Sequence, residues 1–165
     1  MFTTPNSQLS WLPPCLDDLD MPALIEAAYR IFKREIIARP ITIDNKPLLF
    51  SKKMTSRKEE DFYHIIVGGK QSDRAKVPSK MRCRYITWVR PILDHYNTDE
   101  VASWENKRST SKMKCISPKD FSSIVVMRIE LTKYFFVTAY PAENPSTSAR
   151  WQKDYQAFLQ NAEAA

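Results

Sequence analysis

The sequence predicts an α+β fold: N-terminal helices, then a four-stranded antiparallel sheet, then a C-terminal helix packed back on the sheet. Two kinds of pattern carry this expectation. Apolar side chains recur at helical spacing near each end of the chain, whereas beyond residue 100 they fall into short β-branched and aromatic runs separated by brief links. With 165 residues, 43% of them hydrophobic and 12% aromatic, the chain can bury one ordinary core, so a single domain over 1–165 is expected. Within it, 1–18 reads as an arm, 19–97 as a mainly helical and loop part, and 98–165 as the sheet with its closing helix.

The arm is polar, Pro-containing and aperiodic, and Trp11 and Leu12 are its natural packing residues. Asp20 is placed to cap a helix from Met21 to Ile37, with Pro22 in the first turn and a stripe of Leu24, Ala28, Ile31, Phe32 and Glu35. Arg39-Pro40 ends that helix, and Ile41 to Phe50 reads as extended pieces broken at Asn45 to Pro47. The run Asp61 to Val67 suits either helix or strand, and Gly68-Gly69 behind it provides a sharp turn or a close approach for a ligand. A basic loop over Lys70 to Lys80 precedes Met81 to Trp88, which has strand character, and a short helix through Leu93 and His95. The strands then follow as Val101 to Asn106, Met113 to Ile116, Ser123 to Glu130 and Lys133 to Tyr140, with Glu130 to Lys133 as a hairpin link. A last helix starts at Ser148 and carries Trp151, Tyr155, Phe158 and Leu159.

With 25 Lys and Arg against 19 Asp and Glu, the net charge of +6 suits a polyanionic partner, and the cations crowd between Lys46 and Arg90. The 3 cysteines, Cys15, Cys83 and Cys115, match neither a disulfide framework nor a zinc site, which points to a reducing cytoplasm. No signal-peptide pattern or long apolar run is present, so no membrane association is expected.

Candidate site residues follow from chemistry. Thr138 and Tyr140, two apart on a strand, share a sheet face. Cleavage of a phosphodiester needs a proton-transfer group, cations against the phosphate and oriented hydroxyls, and His64, Lys107, Arg108, Thr138 and Tyr140 supply them. The other histidine, His95, lies in a polar stretch that reads as a solvated helix end. Read as alternating on a strand, Arg82 and Arg84 form a phosphate clamp, with Lys70 in the basic loop beside them. Glu105 is a second candidate base and shares its strand face with Lys107. No cluster has metal-ligand spacing, so neither a metal nor another cofactor is expected.

His64-Ile-Ile-Val-Gly-Gly69, Arg82-Cys-Arg-Tyr-Ile-Thr-Trp88, Trp104-Glu-Asn-Lys-Arg108 and Phe136-Val-Thr-Ala-Tyr140, in that order, resemble a phage- and toxin-associated branch of the barnase, EndoU, colicin and RelE-like ribonucleases. The resemblance implies an RNA-cleaving site on the sheet face, with His64, Lys107, Thr138 and Tyr140 as active groups. It also implies a metal-independent endoribonuclease toxin acting on tRNA or another structured RNA and restrained by a cognate antitoxin or immunity protein. Two rival readings stand beside it: a non-catalytic RNA-binding or translation-modulating module of the same fold, and a phage structural protein whose basic loop docks an acidic partner.

Overall fold

The computed structural model describes residues 7–68 and 77–164. Helix α1 (Met21–Ile31) begins at Asp20 with Pro22 in its first turn. Asp20 caps through its backbone alone: its carbonyl takes the Leu24 N–H at 2.8 Å, and its side chain makes no capping bond. The helix continues as a π-helical turn, Phe32–Ile37, closed by Ala38 N–H to Lys33 O at 2.9 Å. An α-helix drifts by about 40° every four residues. The wider π turn offsets that drift, so Leu24, Ala28, Phe32 and Ile36 all stay buried. Glu35, expected in the stripe, instead pairs with Arg34 at 2.9 Å and Arg39 at 2.6 Å.

Two short hairpins follow. Strands β1 (Thr42–Ile43) and β2 (Lys46–Leu49) are joined through Asp44 and Asn45, with φ of 51° and 63°. Strands β3 (Met54–Thr55) and β4 (Lys58–Glu59) are joined through Ser56 and Arg57, with φ of 50° and 71°. Consecutive left-handed residues match the twist of the flanking strands. The ambiguous run is a helix, α2 (Glu60–Ile66), which buries Phe62, Ile65 and Ile66.

Residues Met81 to Trp88, expected as a strand, are also helical. They form α3 (Lys80–Arg84) and a 3-10 turn, Tyr85–Trp88, that runs into α4 (Val89–Asp94). The Ser79 hydroxyl accepts the Arg82 N–H at 3.3 Å as an N-cap, and Cys83, Ile86, Val89 and Ile92 are buried at intervals of one helical turn.

Strands β5 (Val101–Arg108), β6 (Ser111–Pro118), β7 (Ser123–Ile129) and β8 (Tyr134–Pro141) make the expected antiparallel meander. The sheet is nevertheless six-stranded, not four-stranded, in the order β1-β2-β8-β7-β6-β5. Strand β2 pairs in parallel with the start of β8, through Leu48 to Tyr134 and Leu49 to Phe135. Burial of Ile43 and Leu48 in the common core drives this docking, and the pairing satisfies part of the β8 edge. Helix α5 (Pro145–Ala164) starts earlier than Ser148, because Asn144 Oδ1 takes the Thr147 N–H at 2.9 Å and Pro145 occupies the first helical position.

The sheet therefore separates two cores. On one face Leu24, Phe32, Phe62, Trp88 and Ile92 meet Val125, Met127 and Phe136. On the other, Trp104, Cys115, Phe121 and Val126 pack with Trp151 of α5. The arm joins the first core through Trp11, Leu12, Cys15 and Leu16. Its carbonyls at Pro13, Pro14 and Leu16 take bonds from Trp88, Thr87 and Arg84 at 2.8, 3.0 and 2.8 Å.

Candidate active site

His64 sits in the last turn of α2, its side chain 46% exposed. One helical turn back, the buried Asp61 places Oδ1 3.2 Å from His64 Nδ1, and its other oxygen accepts the Ser51 N–H at 2.6 Å. Glu60 Oε1 lies 3.6 Å from Nε2. The pair of acidic residues also suits the first turn of the helix, where the macrodipole favours negative charge. Asp61 thus orients the imidazole while the ring keeps a solvent-facing edge.

Strand β8 reaches the same place. A β-bulge pairs Met127 with Phe136 but Val126 with Thr138, leaving Val137 as the extra residue. Without it, Thr138 and Tyr140 would follow Tyr134 and Phe136 into the first core. With it, Ala139 takes that side, and Thr138 and Tyr140 pair with Val126 and Ile124 of the second. The Thr138 hydroxyl donates to the His64 carbonyl at 2.6 Å, tying the strand to the end of α2.

Arg82 closes the group from α3. Its Nη1 donates to Val67 O at 3.2 Å and Ile65 O at 3.4 Å, and its guanidinium carbon lies 4.1 Å from the centre of the Tyr140 ring. Tyr140 in turn meets Trp151 edge-on at 5.6 Å, and Glu143 Oε1 stands 3.9 Å from Arg82 Nε. Burial lowers the Arg82 pKa, against the opposing pull of Tyr140 and Glu143. Gly68 permits this packing by close approach, since a Cβ there would lie 2.9 Å from Arg82 Nε.

The remaining sequence-predicted residues lie elsewhere. Arg82 and Arg84 do not form a strand-borne clamp: both are in α3, where residues two apart diverge, and Arg84 Nε holds Leu16 O. Lys107 and Glu105 project from the wrong face. Glu105 pairs with Lys114, and Lys114 with Met127 of the first core, so alternation puts Glu105 and Lys107 opposite Thr138. Strand β5 also lies three strand spacings from β8, about 14 Å. Arg108 does share the Thr138 face, at the far end of β5. There Trp104, Asn106 and Arg108 with Asp154, Phe158 and Asn161 line a groove of about 410 Å³. His95 stacks on Trp11 at 4.1 Å, with Nδ1 2.8 Å from Pro91 O, in place of the solvated helix end expected. Lys70 lies outside the described residues.

Asp61 is the one candidate site residue here that the sequence reading does not name. The signal was present: once Asp61 to Val67 is assigned as helix, Asp61 and His64 fall on one face at the i, i+3 spacing. Among the described residues, no His, Cys, Asp and Glu side chains gather as a metal ion would require, and no helix is long and apolar enough to cross a membrane. No protein-family model, no curated protein and no solved structure matches the chain.

Proposed function

We propose that this protein is a metal-independent endoribonuclease whose site lies where α2, α3 and β8 meet. The observation that carries the reading is a half-exposed histidine oriented by a buried carboxylate, with the Thr138 hydroxyl on its own carbonyl and an Arg82–Tyr140 stack behind. An imidazole exchanges protons near neutral pH, which suits His64 to take the proton from a ribose 2′-hydroxyl. The 2′-oxygen then bonds to phosphorus as the bond from phosphorus to the 5′-oxygen breaks, and the proton ends on the departing 5′-oxygen. Tyr140 donates a hydrogen bond to the phosphorane, and Arg82 offsets its charge from behind the ring. Lys107, given a direct role from sequence, has none in this arrangement.

A chain with a net charge of +6 suits RNA, tRNA included, and a cytoplasmic enzyme of this kind needs a cognate antitoxin or immunity protein to hold it in check. One observation favours the alternative, a non-catalytic RNA-binding module: the Thr138 hydroxyl proton and the Arg82 Nη1 donor are already committed to backbone carbonyls. Incubation of the purified protein with total RNA in EDTA separates the two. The nuclease reading expects new ends bearing 2′,3′-cyclic phosphate and 5′-hydroxyl groups. Intact RNA, or cleavage only on adding a divalent metal, overturns it.

A further inference from the structure

The cross-strand register aligns Asn106, Met113, Arg128 and Phe135 in one row across β5, β6, β7 and β8. The adjacent row on the same face is Trp104, Cys115, Val126 and Thr138. Trp104, Cys115 and Val126 are buried in the α5 core, whereas every member of the Asn106 row is only partly buried. Met113 nevertheless packs against that core and Asn106 Oδ1 is buried, so the closing helix also reaches the β5 and β6 end of the second row, and the part left accessible is its Arg128–Phe135 end, on the strand that carries Thr138.

The accessible end of the row carries an aromatic ring with cations on it. The Arg128 guanidinium carbon lies 4.8 Å from the centre of the Phe135 ring, and Lys133 Nζ lies 5.3 Å from the same centre. Glu130 Oε1 holds Arg128 Nε at 3.0 Å, which fixes the guanidinium over the ring. Phe135 precedes Thr138 by three residues, about 10 Å along the strand, so the platform stands near the His64 group. At the other end the row runs into the groove beside Arg108.

We infer that the Arg128–Phe135 end of this row is a binding platform on the path of single-stranded RNA, with one base stacked on the pair, the adjacent phosphate on Lys133, and a phosphate farther along the strand on Arg108. The inference deepens the RNA reading above and rests on it. A flat guanidinium on an aromatic ring offers a base a stacking surface that requires no particular sequence, and neighbouring cations neutralise the backbone on either side. Cations alone would equally suit an acidic protein surface. The ring and guanidinium plane favour RNA.

The test uses a fluorescein-labelled 2′-O-methyl RNA decamer, which lacks the attacking hydroxyl and stays intact, with full-length protein in EDTA. Phe135→Leu keeps an apolar side chain while removing the ring, and is expected to weaken binding about tenfold, the scale of one lost base stack. Arg128→Gln should weaken binding by removing the guanidinium plane, and Lys133→Gln should reduce the salt dependence by about one phosphate contact. Lys119→Gln, in the turn at the opposite end of the sheet, should leave affinity unchanged. Unchanged melting temperatures exclude misfolding as the cause. If the decamer fails to bind, or binds equally well to Phe135→Leu and Arg128→Gln, the path is wrong, whether or not natural RNA is cut. If the decamer binds with these losses but natural RNA stays intact, the path stands and the nuclease reading falls.

Discussion

At the scale of single residues, the site depends on how one imidazole is held. Asp61 is buried and already accepts the Ser51 N–H, so its carboxylate is a fixed orienting group for His64 Nδ1. We predict that His64→Ala lowers RNA cleavage by at least about a hundredfold, the usual scale for removing a proton-transfer group, with little change in melting temperature. Asp61→Asn should give a smaller loss together with a shifted pH–rate profile, because it alters the orienting partner rather than the transfer group. His95→Ala should leave cleavage unchanged. An unaltered rate in His64→Ala would remove the histidine from the chemistry. The two buried thiols are poor alternatives as nucleophiles, since burial pushes both Cys83 and Cys115 up to about 11 and keeps them protonated.

At the scale of elements, the decisive contact is between β8 and α2. Strand β2 pairs only with Tyr134 and Phe135, and α2 packs against β8, with Thr138 bonding the last turn of the helix. That bond joins a strand to the helix that carries His64. Thr138→Val retains shape and β-branching but leaves the His64 carbonyl without this donor. We predict a loss of about 1 kcal/mol in stability, measured by urea denaturation, and a larger proportional loss in turnover as the end of α2 loosens. A loss of stability with turnover unchanged would make the bond purely structural. The Arg82–Tyr140–Trp151 stack is a second tie, between α3, β8 and α5, and Gly68 leaves the space it needs.

At the scale of the whole molecule, the N-terminal helix is joined to the hairpin before α2 by an ion pair between the exposed Lys33 and the buried Glu59. Glu59 receives Lys33 Nζ at 2.8 Å and the Tyr29 hydroxyl at 3.3 Å. Burial alone would raise the Glu59 carboxyl, but these donors outweigh it and hold the group below its ordinary value. A depressed carboxyl stabilises the fold above its unfolded pKa, and the contribution is lost as pH falls through the folded value. We therefore predict that Glu59→Gln costs about 1–2 kcal/mol at pH 7, and that the gap from the parent protein closes as pH drops below about 4. A gap constant from pH 7 to pH 3 would show that the charge of Glu59 contributes nothing.

What the sequence by itself determined was whatever a local period encodes. Apolar residues at helical spacing marked the N-terminal helix and the Trp151 helix, β-branched runs marked the meander, and two-residue spacing placed Thr138 beside Tyr140 on one face. Met81–Trp88, expected as a strand, is helical, and Cys83, Ile86 and Val89 at helical spacing are the residues it buries. Only the tertiary structure decided which face that was. The bulge at Val137 reverses the side on which Thr138 emerges, while the regular pairing of β5 sends Lys107 to the other side. Nor could a local pattern place β2 against β8, where the pairing joins segments far apart in the chain. Face and neighbour are properties of pairing between distant strands: one added residue turns every later side chain over, and the hydrophobic period on either side of it looks the same.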